Sequence, residues 1–201
     1  FTVRHGRRNV NFVLPMLGDH NVSNATAAIT VALTHGLTWD EARLAIEGMA
    51  PERMRGEVIL FREGFAVIDD SYNSNPKALT EMIRLLGKIG GFSRKILVAG
   101  EMLELGKTGA ELHALCGKEA VKAGIDLIVG VSGNAKELIN GAATAGADQS
   151  RLRFVRDAVD AGDYLVQTLQ KDDLVLLKGS RGVRLEQALD TLRLSFSSLE
   201  P

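Results

Sequence analysis

From residue 57 onward, short apolar runs of β-forming residues alternate with longer stretches of helical periodicity, and this alternation restricts the fold more than any other feature. Strands are expected at 57–61, 65–69, 95–99, 125–131, 152–155 and 173–177. Helices are expected at 76–88, 108–123, 134–145, 157–170 and 184–194. Strands separated by helices read as a doubly wound, mostly parallel, Rossmann-like sheet of about six strands. The first two strands are joined only by Arg62-Glu63-Gly64, short enough for a hairpin, which adds one antiparallel strand. The second helix carries Thr108 and Glu111 at capping-box spacing, the fourth follows Asp157, and the last has Leu185, Ala188, Leu189 and Leu192 in register.

The first fifty residues have a different grammar. Strand-like stretches at 1–4 and 10–14 precede a loop at 17–21 and two helices. Ala25, Ala28, Ile29 and Ala32 form the stripe of the first helix, which should end at Gly36. Thr38 and Glu41 form a capping box for the second, whose stripe is Ala42, Ala45, Ile46 and Met49. The polar stretch 51–56 reads as a linker, dividing the chain into 1–50 and 51–201. A chain opening on Phe1 inside a strand-like run reads as part of something longer.

Bulk properties exclude several classes. A net charge of −1 over 201 residues gives no footprint for nucleic acid or an anionic membrane. No apolar run approaches the ~20 residues of a membrane-spanning helix. The single cysteine, Cys116, allows no intramolecular disulfide, fits a reducing compartment, and sits on a helix stripe where packing is its default role. His5, His35 and His113 lack zinc-ligand spacing.

Chemistry concentrates at 69–76, Asp-Asp-Ser-Tyr-Asn-Ser-Asn-Pro, between an apolar strand and an amphipathic helix striped by Leu79, Met82, Ile83 and Leu86. Asn75 suits an N-cap and Pro76 the first helical position. Asp69 and Asp70 could bind ribose hydroxyls, hold a metal or terminate the strand. Lys178-Gly179-Ser180-Arg181 could receive a carboxylate or phosphate, or could be a solvated basic turn. These turns, with 100–106 and 130–133, all follow strand carboxyl ends and should share one sheet edge. Gly106-Lys107-Thr108 is no phosphate loop, because five residues rather than four separate Gly100 from Gly106. A phosphate-accepting receiver domain also fails, since Gly130-Val131-Ser132 stands where its reactive aspartate belongs.

Taken together, several segments resemble the Mur ligase family, and within it the D-alanyl-D-alanine-adding branch. They are Leu17-Gly18-Asp19-His20-Asn21-Val22-Ser23-Asn24-Ala25 with Ala27-Ala28, Arg55-Gly56-Glu57, the octet 69–76, Gly100-Glu101-Met102-Leu103-Glu104-Leu105-Gly106, and the basic turn 178–181. Glu101 departs from the Gly-Asp-Met usual in that branch, so its reach differs. The resemblance implies a cytoplasmic, ATP- and magnesium-dependent amide ligase of peptidoglycan synthesis. Such an enzyme joins D-alanyl-D-alanine to UDP-N-acetylmuramoyl-tripeptide through an acyl phosphate. Residues 1–50 would then be the tail of the central ATP-binding domain and 51–201 the C-terminal Rossmann-like domain, with 51–55 as hinge. By matching position, Asn21 would meet adenine, Arg55 the phosphates and Asp70 the ribose. Tyr72 and Asn73 would line the nucleotide side, and Lys178, Ser180 and Arg181 the dipeptide side. The family's phosphate loop, magnesium ligands and modified lysine are not among these residues, so catalytic groups and metal ligands are expected elsewhere and the 201 residues alone should not turn over. Another amide ligase of the same superfamily, or a non-catalytic nucleotide-binding or interaction module, are the alternatives.

Overall fold

The computed structural model describes residues 1–199, which form two compact units, Phe1–Glu52 and the remainder from Arg53 onward. In the first unit, β1 (Thr2–His5) and β2 (Arg8–Asn11) pair as an antiparallel hairpin, followed by α1 (Asp19–Thr34) and α2 (Trp39–Glu47). The second strand lies earlier than the expected 10–14. The turn at Gly6, with φ 61°, sets the register that pairs Asn11 with Thr2. A small core of Phe12, Ala25, Ile29, Ala42 and Ile46 holds the unit. Ala28 and Ala45 are exposed, and Met49 lies beyond the end of α2, so both apolar stripes are narrower than their periodicity suggested. The Thr38–Glu41 capping box forms as expected. α1 stops at Thr34, where the N–H groups of Gly36 and Leu37 bond back to the carbonyls of Leu33 and Ala32. Gly36 takes the left-handed conformation (φ 92°) that this Schellman ending requires.

The second unit contains β3 (Glu57–Phe61), β4 (Ala66–Asp69), α3 (Pro76–Lys88), β5 (Arg94–Gly100), α4 (Gly109–Lys122), β6 (Leu127–Val131), α5 (Ala135–Thr144), β7 (Leu152–Val155), α6 (Ala158–Thr168), β8 (Asp173–Lys178), α7 (Glu186–Ser195) and β9 (Ser198–Leu199). They build a seven-stranded sheet in the order β7-β6-β5-β8-β4-β3-β9. All neighbours from β7 to β4 pair in parallel, and β3 alone runs against the rest. The sheet is thus one strand wider than the sequence suggested. β9 is two residues long, too short to show a period, and it exists by pairing with Leu60 and Phe61.

Both faces of β4, β6 and β8 are buried, so these strands read as continuous apolar runs rather than alternating ones, whereas the edge strand β7 is partly exposed. Val67, Ile96, Val98, Val129, Val175 and Leu177 share one face with Ala161 and Leu165 of α6 and with Ala188, Leu189 and Leu192 of α7. Their neighbours in sequence, Ile68, Leu97, Ile128 and Leu176, point to the other face, over which the right-handed crossovers carry α3, α4 and α5. The Thr108–Glu111 box does not form. Thr108 ends a 3-10 turn (Gly106–Thr108), and its hydroxyl donates to the Leu105 carbonyl instead of receiving the helix N–H.

Two features place the site. The crossovers β5→β6→β7 step outward and β7→β8 returns beside β5, so the chain reverses direction between β5 and β8. That is where an open α/β sheet leaves a crevice at the strand carboxyl ends. There Gly100 and Gly179 abut: a Cβ on Gly100 would lie 3.1 Å from the Gly179 Cα. Behind the sheet, α4 and α5 cross backbone against backbone. A Cβ on Gly117 would meet the Leu138 carbonyl oxygen at 1.9 Å, and one on Gly141 would meet that of Ala114 at 2.1 Å. Gly117→Ala is therefore expected to cost about 1–3 kcal/mol by overpacking. Gly90→Ala, whose Cβ meets nothing within 4 Å, should change stability by less than ~0.5 kcal/mol. Denaturant unfolding of the two variants checks the contrast.

Candidate functional site

β4 ends in a carboxylate that serves the backbone. Asp69 is 2% exposed, and its Oδ1 accepts from the Ser71 N–H at 3.1 Å and from the Ser71 hydroxyl at 2.5 Å, closing an Asx turn. Burial pushes its carboxyl pKa up, against the lowering effect of the two Ser71 bonds; Glu57 adds to the rise and Arg193 opposes it. Asp70 extends the sheet by one bond, N–H to the Leu177 carbonyl at 3.0 Å, and turns its carboxylate sideways to the Lys178 ammonium at 2.6 Å. Lys178 is 4% exposed and spends a second proton on the Asn73 carbonyl at 3.0 Å. Asn75 caps α3 by accepting from the Ala78 N–H, with Pro76 at the first helical position.

The stretch expected to be a linker reaches into this turn. The Gly56 N–H bonds the Asp69 carbonyl and the Tyr72 N–H bonds the Met54 carbonyl, while the Arg55 guanidinium stacks over the Tyr72 ring at 4.1 Å from its centroid. The second unit accordingly begins at Arg53.

Ser180 joins the remaining loops. Its N–H donates to the Glu101 carbonyl (3.1 Å), and its hydroxyl accepts from the Leu103 N–H (3.0 Å) and donates to the Ser74 carbonyl (3.5 Å). Glu101 in turn accepts from the Asn134 N–H at 2.9 Å, next to the start of α5, and Gly133 before it takes the left-handed conformation (φ 42°) that favours glycine. The longer reach of Glu101 is thus spent on the loop after β6. His113, which carried no functional signal in the sequence, is fully buried. Its Nε2 accepts from the Met102 N–H at 2.9 Å, which leaves the ring proton on Nδ1, donated to the Gly109 carbonyl at 2.6 Å. It anchors the loop after β5 from behind.

These ties enclose a cleft of about 480 Å³ lined by residues 72–75, 103–105 and 180–182. Arg181 lines it with a half-exposed guanidinium, of which Nη1 is 2.6 Å from Glu186 Oε1. The Ser74 hydroxyl is buried in the same wall and has no partner. Tyr72, Asn73, Ser180 and Arg181 therefore share one cleft; Asp70 and Lys178 bond each other, Lys178 also bonds the Asn73 carbonyl, and Arg55 stacks on Tyr72. Asn21 belongs to the first unit. It is not the cap of α1, a place taken by Gly18, and its side-chain amide donates to the Leu17 carbonyl at 2.7 Å. No cluster of three acidic, histidine or cysteine side chains suited to a metal occurs among the described residues. No magnesium ligand set is assigned here.

The same loops carry the family match. Residues 54–181 match the family described as Mur ligase, glutamate ligase domain. The chain belongs to the Mur ligase family. A UDP-N-acetylmuramoyl-tripeptide–D-alanyl-D-alanine ligase of Bacillus subtilis (strain 168) is 32% identical over 192 residues, covering 96% of this chain and 41% of the relative. A MurF crystal structure from Acinetobacter baumannii superposes with a TM-score of 0.82 at 26% identity, over 96% of this chain and 42% of that one. The MurF ligase of Thermotoga maritima, solved in complex with ADP, shares the fold with a TM-score of 0.75 at 24% identity, over 90% and 39% of the two chains. This Mur ligase chain spans about two fifths of the length of these relatives.

The end of β4 makes two predictions. Removing one member of the partly buried Asp70–Lys178 pair, as in Lys178→Met, should cost about 1–3 kcal/mol, whereas Asp70→Leu with Lys178→Met should cost less than the sum of the single changes. Denaturant unfolding around the double-mutant cycle checks this. For Asp69, a raised folded-state pKa means that its contribution is full below the ordinary aspartate value of 3.8 and is lost as pH rises through the folded value. Asp69→Asn keeps an acceptor for Ser71 but cannot ionise. The wild type should therefore lose stability relative to this variant as pH rises above the ordinary aspartate value of 3.8; parallel pH dependences in unfolding experiments would contradict it.

Proposed function

We propose that this chain is the acceptor-binding part of a cytoplasmic, ATP-dependent amide ligase that adds D-alanyl-D-alanine to UDP-N-acetylmuramoyl-tripeptide in peptidoglycan synthesis. The observation that carries the reading is the junction at Lys178 and Ser180, which draws three strand-end loops into one cleft with Arg181 on its wall. The names of the D-alanyl-D-alanine ligase relatives support it, as does the ADP complex of the Thermotoga maritima ligase.

In this reading ATP supplies the phosphoryl group that activates the tripeptide carboxylate as an acyl phosphate. The dipeptide amine attacks the acyl carbon, and the tetrahedral intermediate collapses to the amide as phosphate leaves. The residues of this chain hold and orient the reactants. Asn21 meets adenine, Asp70 the ribose hydroxyls and Arg55 the phosphates, while Tyr72 and Asn73 line the nucleotide side. Lys178 acts indirectly, keeping Asp70 and the Asn73 carbonyl in place. Ser180 fixes the loop after β5, and Arg181, half-exposed and held by one nitrogen, receives the dipeptide carboxylate.

The test is an amide-formation assay on the complete enzyme that carries this chain, supplied with ATP, magnesium, UDP-N-acetylmuramoyl-tripeptide and D-alanyl-D-alanine. Product should form, and Arg181→Ala should raise the KM for the dipeptide about tenfold or more, with the KM for ATP within about twofold of wild type. An unchanged dipeptide KM would remove Arg181 from this role.

A further inference from the structure

The cleft contains a second charge that the proposed roles leave unused. Glu104 lines it together with the basic turn, in the left-handed conformation with φ 65°. A non-glycine residue pays for that conformation and keeps it only where its surroundings impose it. The impositions here are specific. The Met102 N–H is bonded to buried His113, the Leu103 N–H to Ser180, and the Leu105 carbonyl to the Thr108 hydroxyl. Glu104 is therefore presented by a backbone fixed on both sides.

Among the described residues its carboxylate makes no hydrogen bond or ion pair, and it does not pair with Arg181 although both line the same cleft. Arg181 bonds only Glu186, through Nη1, leaving Nε and Nη2 without a protein partner among the described residues. Ser74 lines the same cleft, is 6% exposed, and has a buried hydroxyl with no partner. One acid, one base and one buried hydroxyl, each with bonding capacity to spare, match a small molecule bearing an ammonium at one end and a carboxylate at the other. Leu103 and Leu105 supply apolar wall for short side chains, and about 480 Å³ admits a small peptide.

We infer that Glu104 receives the amino group of the incoming zwitterionic dipeptide, while Arg181 and Ser74 receive its carboxylate end. This rests on the function proposed above and adds a recognition rule: the site selects for a free amine, not merely for a carboxylate. A ligand with the same backbone but no ammonium gains nothing from Glu104.

The experiment compares wild-type complete enzyme with Glu104→Gln, which keeps the side-chain size and backbone demand but removes the charge. The KM for D-alanyl-D-alanine should rise about tenfold, equivalent to about 1.4 kcal/mol, with the KM for ATP unchanged within about twofold. Inhibition by N-acetyl-D-alanyl-D-alanine, which has no ammonium, should be the same in both proteins. A general structural defect would weaken both dipeptides. Equal weakening of the two, or a KM unmoved by the substitution while the wild type turns over, overturns the role of Glu104 and leaves the ligase reading standing. A wild-type enzyme that forms no amide with D-alanyl-D-alanine overturns both.

Discussion

The partly buried contact between the Lys178 ammonium and the Asp70 carboxylate is the constraint on which the rest of this site depends. A lysine that is 4% exposed needs its charge matched, and its partner lies 108 residues away in sequence. The parallel pairing of β4 with β8 makes the match possible, because it brings Asp69 opposite Leu177 and leaves Asp70 and Lys178 as the next residues out. With Lys178 fixed, Gly179 can abut Gly100, and Ser180 arrives where it bonds the loops after β4 and β5. Glu101 then reaches the loop after β6. The carboxyl edge of the sheet is thereby one connected surface rather than four independent loops.

Much of this architecture was legible in the sequence because it rests on local rules. The β4–α3 corner is an example: an apolar run, then an Asn cap and a proline at the first helical position, and the structure has those elements and that cap. Sharing of one edge by the strand-end loops followed from topology alone. What was not legible depended on contacts distant in sequence. Lys178 and Asp70 looked like two separate ligand groups, yet they bond each other. Residues 54–56 looked like a spacer because their bonds go to 69–72. Thr108 and Glu111 had the spacing of a capping box, but Gly106, at φ 59°, opens a 3-10 turn that takes Thr108 out of the capping conformation. His113 is invisible to spacing rules because its role is a single bond to a backbone N–H eleven residues away.

The functional reading follows from a division of labour within the cleft. The loops around it are fixed by groups bonded within the protein, Lys178, Ser180 and His113, which set shape and rigidity. Its wall carries groups with spare capacity, Arg181, Ser74 and Glu104, which face whatever enters. Preorganisation of this kind lowers the ordering cost of binding a ligand.

Hydrogen–deuterium exchange of the complete enzyme, with and without D-alanyl-D-alanine, addresses the connected cleft most directly. Ligand should slow exchange concurrently in peptides spanning 72–75, 102–105 and 180–183, since these loops share bonds and one cavity. Protection confined to one of these loops, or found only away from this edge of the sheet, would contradict the account.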